Sequence, residues 1–270
     1  MIAFPNCKIN LGLHIIAKRS DGYHDLETIF YPLPLKDAVE IIQSQKTELT
    51  LTGLEVEGNP ADNLCLKAWH LLKKDYPELP PVKIHLHKTI PLGAGLGGGS
   101  ADGAFMLKLI GEKFSLPVSI NDLINYAQQL GSDCPFFILN KPCFATGRGE
   151  LLEQIELNFS DYKIVLVHPG IHINTGWAFL NIIPAQPLKS IKEIIGQPIP
   201  TWKKDLKNDF EAPVFSKYPE IEKIKTTLYK SGAIYSSMTG SGSAVFGIFN
   251  KEIFIDLPFP NKYFIKEMKT

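Results

Sequence analysis

The chain has 270 residues, 28 basic and 28 acidic side chains, and 44% hydrophobic residues, enough for one large soluble domain or two modest ones. Zero net charge removes the electrostatic case for a protein that coats nucleic acid or an anionic membrane. No apolar run approaches the roughly 18 residues of a membrane span, and "MIAFPNCKINLGLHII" lacks the basic start and unbroken apolar core of a signal peptide, so a cytoplasmic location is expected.

In "CKINLGLHI" apolar and polar residues alternate. Ile9, Leu11, Leu13 and Ile15 face one side and Lys8, Asn10, Gly12 and His14 the other, which predicts a half-buried strand. "KRSDGYHDL" follows, with the tight-turn signal Asp21-Gly22. "AVEIIQ" and "TELTLTG" read as strands, and the apolar spacing of Leu64, Ala68, Leu71 and Leu72 predicts an amphipathic helix starting near Asn63. "VKIHLHKTI" alternates again, with Val82, Ile84 and Leu86 inward.

Residues 91 to 105, "PLGAGLGGGSADGAF", come next, with five glycines between Gly93 and Gly99. Helical spacing returns after Ser100: Ala101, Phe105 and Leu109, then Met106, Ile110 and Phe114. "SINDLINYAQQLG" predicts a second helix, with Ser119 as N-cap and Gly131 as its stop. "DCPFFIL" and "PCFATGRGELLEQIEL" read as strands, the latter turning at Gly147-Arg148-Gly149.

From about residue 160 the pattern restarts. It gives a buried strand "YKIVLVHP", a short helix "TGWAFLNII", a Pro- and Lys-rich stretch without clear period from 184 to 205, and helices broken at Pro219. Two strands then flank the small-residue turn "TGSGSA", and "KYFIKEM" makes a last strand. The order predicts an α+β protein of two units meeting near residue 157. Cys7, Cys65, Cys134 and Cys143 form no C-x-x-C pair and are expected reduced and mostly buried.

Three readings compete for the glycine run. It could be a plain glycine-rich turn. Gly93, Gly95 and Gly98 satisfy G-x-G-x-x-G, but the dinucleotide fold needs an acidic residue at the end of the next strand, and Glu112 lies in the predicted helix. A Walker loop is excluded, because Ser100-Ala101 follows Gly99 where Lys-Ser/Thr is required. The third reading is another kind of phosphate cradle, in which backbone amides and the positive end of a helix converge on phosphate oxygens. Strand, loop and helix occur in the order this needs.

"PLGAGLGGGSADGA" resembles the ATP-binding loop of the GHMP kinases. "KINLGLHIIAKRSDGYHDLETIF", "GSDCPFF" and "MTGSGSAVFGIF" are similar, in order, to the branch of that family that acts on diphosphocytidyl methylerythritol. Ala101 and Gly103 stand where the family often has Ser and Ala, and Gly12 where Phe is frequent.

The resemblance implies a two-domain GHMP fold. Residues 1–157 would form an N-terminal ATP-binding unit of the ribosomal-protein-S5-domain-2 type and 158–270 a ferredoxin-like C-terminal unit, with the active site in the cleft between them. It implies phosphoryl transfer from ATP, accompanied by Mg2+, to the 2-hydroxyl of that substrate in the non-mevalonate route to isopentenyl diphosphate. The partners would be these small molecules, with no nucleic acid or membrane, in a monomer or weak homodimer.

Carried over residue by residue, Asp133 would accept the hydroxyl proton, and Lys8 would balance its charge and orient the hydroxyl. By themselves these residues read as a turn or cap aspartate and a solvated strand lysine. Asn10, Tyr23, His24, Thr175 and Phe179 would bind the substrate, with Tyr23 and Phe179 as rings about the cytosine and His24 at its edge. Phe179 reads equally as core, and Trp177 is an alternative ring. ATP would lie on Pro91, Leu92, Gly93, Ala94, Gly95, Leu96, Gly97, Gly98, Gly99, Ser100 and Ala101, with Asn63 toward the nucleoside. Lys88 would join them, or else be a solvated residue at a strand end. Thr239 to Ala244 would approach the same site or be a plain hairpin turn. No dedicated protein ligand for the metal is named by the sequence.

Overall fold

The computed structural model describes residues 1–56 and 58–269. In chain order its elements are strands β1 (Ile2–Ala3), β2 (Asn6–Lys18), β3 (His24–Lys36), β4 (Ala38–Gln43) and β5 (Glu48–Gly53), then helix α1 (Leu64–Asp75) and strand β6 (Val82–Lys88). Helices α2 (Gly98–Lys113), α3 (Ile120–Leu130) and α4 (Cys134–Leu139) precede strands β7 (Cys143–Thr146), β8 (Leu151–Gln154) and β9 (Tyr162–His168). Helices α5 (Thr175–Leu180), α6 (Ile191–Ile195), α7 (Ile199–Asp205), α8 (Glu211–Lys217) and α9 (Pro219–Lys230) lead to strands β10 (Tyr235–Met238), β11 (Val245–Asn250) and β12 (Phe264–Lys269).

Two compact units form, each from separate pieces of chain. The first holds Met1–Cys7, Pro34–Leu92 and Gly97–Lys141; the second holds Lys8–Leu33, Gly93–Leu96 and the chain from Pro142. Compactness thus groups residues differently from a single division at 157, because 8–33 and 93–96 pack with the C-terminal part.

In the first unit a sheet of order β1-β4-β6-β5 pairs β4 antiparallel and β5 parallel to β6. Ile41 lies opposite Ile84, as does Leu49 on the other side. Helices α1 to α4 bury Ala68, Leu72, Met106, Leu109, Ile110 and Phe137. Each large aliphatic side chain so buried contributes roughly 1.5–3 kcal/mol. Ser119 and Asp122 make a reciprocal capping box at the start of α3.

The second unit has two four-stranded sheets, β2-β3-β7-β8 and β10-β11-β9-β12. Leu13, Ile15, Val165, Val167, Phe210, Ile221, Ile224 and Val245 share one core.

Three expectations are corrected, and two stretches without an assigned element take shape. Strand β2 is buried on both faces, because its polar face carries a hydrogen-bonded network rather than water: Lys8, Asn10 and His14 are 3%, 2% and 9% exposed. Residues 24–36 form a long strand that the prolines of "FYPLPLK" disguise; β7 pairs only with Thr28 to Phe30, so Pro32 and Pro34 interrupt no bond to it. "CPFFIL" is a helix, not a strand. Pro135 sits in its first turn, where the missing N–H is no loss, and a short apolar run carries no decisive period. Helix α2 begins at Gly98, so the last two glycines belong to its first turn. The undetermined stretch 184–205 contains α6 and α7, and buried Glu27 accepts bonds from the Ser190 hydroxyl (3.0 Å) and the Ile191 amide (2.8 Å) at the start of α6.

Candidate active site

In the second unit, β2 carries Lys8 and Asn10 side by side. The Lys8 Nζ donates to Asn10 Oδ1 at 2.6 Å and to the Gly95 carbonyl at 3.2 Å, and lies 5.1 Å from the centre of the Phe30 ring. Asn10 Nδ2 donates to Thr28 Oγ1 at 2.9 Å, and Thr28 passes the chain on to the Gly12 carbonyl. This lysine is therefore a buried, oriented cation and not a solvated strand residue.

The glycine run answers partly to the chain itself. Gly95 has φ 78°, and a Cβ there would overlap the Thr239 carbonyl oxygen. The Lys8 amide donates to the Leu96 carbonyl at 3.0 Å and the Ala244 amide to the Ala94 carbonyl at 3.1 Å, so residues 93–96 run between β2 and the turn 239–244. That turn is thus more than a hairpin connection. Gly98 leaves room for Ile90, whose Cγ2 would be 2.9 Å from a Cβ, whereas Gly99 faces open space. Gly97 is the N-cap of α2, with φ 70° and no side chain over the helix amides. Internal packing requires Gly95 and Gly98; the openness of the α2 start is what suits an anion.

Tyr23 is 54% exposed, and the Arg148 guanidinium sits 4.7 Å from its ring centre. His24 stacks on Phe179, with centroids 5.0 Å apart and planes 20° from parallel. Phe179 also meets Phe210 edge-on at 4.9 Å. Phe179 therefore presents a face to His24, not an open face opposite Tyr23. Trp177 is engaged elsewhere, with Lys217 over its ring at 4.1 Å. Burial, helped by Lys18, lowers the His24 pKa, so at neutral pH its ring offers one donor and one acceptor. Thr175 Oγ1 lies 3.0 Å from Ser241 Oγ.

In the first unit Lys88 is no solvated strand end. Its side chain is 1% exposed, and Nζ binds Asp37 and, at 2.6 Å, Asp102 Oδ2. Asp37 in turn accepts the Thr89 and Ile90 amides at 2.6 and 2.9 Å, fixing the approach to the glycine run. Burial acts to lower the lysine's pKa, but the two carboxylates outweigh it and the ammonium is raised. Asp102 is pushed up to about 7 by burial, Lys88 opposing and Asp37 adding. Its Oδ1 has no hydrogen-bond partner among the described residues.

The native state therefore holds the Asp102 proton more tightly than the unfolded chain, where aspartate titrates near ~3.9. The stability so gained is complete below about pH 4 and is lost as pH rises through about 7. Asp102→Asn should abolish that loss. Measured by urea unfolding, variant stability minus wild-type stability should grow by up to ~4 kcal/mol between about pH 4 and pH 7.5. A difference that does not change with pH would refute this.

Asp133 also belongs to the first unit. It occupies the N-cap position of α4, yet its side chain makes no cap hydrogen bond. Ser100 hydrogen-bonds the next residue, Cys134, whose buried thiol is pushed up to about 12 and so stays neutral. The start of α2 and the Asp133 turn are thereby joined. All four cysteines are buried, and none is in a disulfide. Asn63 caps α1 through Oδ1, which accepts the Cys65 amide at 2.9 Å, and lines a shallow pocket with Leu51, Val56, Asn59 and Pro60.

Models of the GHMP kinase N-terminal and C-terminal domains match residues 63–141 and 189–253. The 4-diphosphocytidyl-2-C-methyl-D-erythritol kinases of Parabacteroides distasonis and Bacteroides fragilis are 52% and 54% identical to the chain. The alignments cover 93% of it and 92% and 93% of those proteins. The chain belongs to the 4-diphosphocytidyl-2-C-methyl-D-erythritol kinase family. A crystal structure of 4-(cytidine 5'-diphospho)-2C-methyl-D-erythritol kinase superposes with TM-score 0.79 at 31% identity, over 92% of this chain and 90% of that one. Methanococcus jannaschii mevalonate kinase, 16% identical, shares the fold with TM-score 0.66 over 94% and 92%. The chain is thus an ATP-dependent kinase of GHMP fold, and among the described residues no helix is long and apolar enough to cross a membrane.

Sequence reasoning on this kinase missed Asp37 and Asp102, the carboxylates that hold Lys88. Asp102 is an acidic residue inside an apolar helix pattern, "SADGAFMLKLI", and that inconsistency was the available signal. Arg148 and Thr28 had no comparable mark.

Proposed function

We propose that this kinase transfers the γ-phosphoryl group of ATP to the 2-hydroxyl of 4-diphosphocytidyl-2-C-methyl-D-erythritol, on the non-mevalonate route to isopentenyl diphosphate. The observation that carries the reading is a buried, hydrogen-bonded Lys8 in a chain about half identical to kinases of that name. Such transfers depend on positioning and charge stabilisation. Asp133 accepts the hydroxyl proton; its carboxylate is not used to cap its own helix. Lys8 supplies positive charge to the transferring phosphoryl and its acceptor. Amides at 97–100 and the positive end of the 16-residue α2 hold the phosphates. Asn63 and its pocket receive the nucleoside.

Tyr23 stacks on the cytosine with Arg148 behind it, and neutral His24, backed by Phe179, reads the base edge. Asn10 and Thr175 add polar contacts to the substrate. Lys88 acts from beneath the loop rather than on the nucleotide. Mg2+ enters with the phosphates of ATP. Among the described residues no three His, Cys, Asp or Glu side chains converge on one point, and no step here runs through a protein-held ion. The enzyme is read as cytoplasmic, and as a monomer or weak homodimer.

Tyr23→Ala should raise KM for the cytidine substrate by about 5- to 150-fold, the scale of one base–aromatic stack, with ATP KM unchanged. His24→Ala should instead reduce the preference for the CDP-linked over the UDP-linked substrate, because these bases differ at the hydrogen-bonding edge. Steady-state kinetics of both variants on both substrates test this. A Tyr23→Ala defect confined to ATP, or equal losses on both bases for His24→Ala, would overturn the assignment.

A further inference from the structure

The Lys8 network ends on a residue far along the chain. Thr239 is fully buried. Its Oγ1 accepts the Asn10 amide at 2.9 Å and lies 3.3 Å from both Asn10 Oδ1 and the Gly95 carbonyl. Those last two oxygens also accept from the Lys8 ammonium. One hydroxyl thus lies against two oxygens that accept from the lysine, with a single proton to share between them.

Thr239 is held in turn by Asn208. This side chain is 2% exposed and sits just before α8. Nδ2 donates to the Met238 carbonyl at 2.8 Å and the Gly240 carbonyl at 2.9 Å, on either side of Thr239. Oδ1 accepts the Phe210 amide at 3.0 Å. Every hydrogen-bonding atom of the amide is used except part of the Oδ1 capacity. The backbone around Asn208 is anchored too: the Leu13 amide donates to the Lys207 carbonyl and the Asp209 amide to the Leu13 carbonyl, both at 2.8 Å. So β2, which carries Lys8, is tied twice to the segment that carries Asn208.

We infer that Asn208 and Thr239 are positioning residues for Lys8: Asn208 clamps the 238–240 backbone, and the Thr239 hydroxyl transmits that placement to two oxygens that accept from the ammonium. Neither side chain touches substrate. Both act through Lys8, and the inference rests on the proposed role of Lys8 at the transferring phosphoryl. Misplacing a reacting group by about 1 Å can lower turnover ~10²-fold. Loss of either clamp therefore lowers kcat more than it raises either KM.

The test compares Thr239→Val, Thr239→Ser, Asn208→Ala and the double variant Thr239→Val/Asn208→Ala, each confirmed folded by circular dichroism, with Lys8→Met alongside. Valine keeps the shape of threonine and puts a methyl group in place of the hydroxyl. We expect kcat to fall about 10- to 100-fold in Thr239→Val and in Asn208→Ala, with ATP KM within about threefold. Serine should restore kcat to within about threefold of wild type. The double variant should be no worse than the weaker single one, since both changes break one chain of contacts. If Thr239→Val does not fold, Asn208→Ala decides, because it leaves the hydroxyl in place. Wild-type kcat in folded Asn208→Ala and Thr239→Val, while Lys8→Met is inactive, would overturn the inference and leave the role of Lys8 standing. Wild-type kcat in Lys8→Met would overturn both. A serine variant as slow as valine would assign the effect to the threonine methyl and refute the hydroxyl argument.

Discussion

Asp133→Asn should lower kcat by about 10²- to 10⁴-fold, the usual effect of removing a general base, while KM for ATP and for the cytidine substrate stays within a few-fold. The amide keeps the shape of the carboxylate but cannot accept the proton of the 2-hydroxyl. The Asp133 side chain makes no cap bond to α4, so the replacement takes no cap hydrogen bond from that helix. This separates the two readings of the residue. A cap aspartate would lose about 0.5–2 kcal/mol of stability on replacement and keep its turnover. Pre-steady-state rates beside thermal unfolding distinguish them. Turnover within threefold of wild type would remove Asp133 from the chemistry.

Gly95→Ala should be nearly as damaging, for a different reason. The residue has φ 78°, which an L side chain rarely adopts. Its new methyl would overlap the Thr239 carbonyl oxygen and lie 3.0 Å from the carbonyl carbon, with the Gly242 amide at 3.3 Å. Those atoms are backbone, so no rotamer change relieves the contact. The loop or the 239–244 turn must shift, and either shift moves the Gly95 carbonyl that accepts from Lys8. Strain of the backbone and overpacking together cost roughly 2–5 kcal/mol. The variant should unfold at a lower temperature and retain less than about 1% of wild-type kcat/KM. Gly99→Ala, where the added methyl meets open space, is the matched control for stability. Equal melting temperatures for the two variants would contradict this account of the loop.

Periodicity in the sequence carried most of the first unit's elements. Val82, Ile84 and Leu86 alternate with more exposed residues because one face of β6 is buried, and Ser119 and Gly131 bound α3 as capping chemistry dictates. Where one segment obeyed two rules, reading failed. "CPFFIL" is apolar throughout, so neither period 2 nor period 3.6 could be read. Pro32 and Pro34 argue against a strand unless the partner's short register is known.

The candidate site divided in the same way. Lys8, Asn10 and the glycine run lie in contiguous motifs and could be singled out. The residues that fix them could not. Thr28 and Asn208 reach the Lys8 network from other parts of the chain, Thr239 was legible only as part of the 239–244 turn, and Asp37 and Asp102 reach Lys88 from 51 and 14 residues away. Long-range hydrogen bonds leave no local period. The glycine count also misled in part, since Gly95 and Gly98 make room for the protein's own atoms.

The central claim is the identity of the phosphoryl acceptor. ADP release should be followed with ATP, Mg2+ and, in parallel, 4-diphosphocytidyl-2-C-methyl-D-erythritol, galactose, homoserine or mevalonate. The product should be identified by phosphorus NMR. The account predicts turnover with the diphosphocytidyl substrate alone and a new phosphomonoester on its 2-hydroxyl. No ADP release with that substrate, or faster release with any of the other three alcohols, would contradict it.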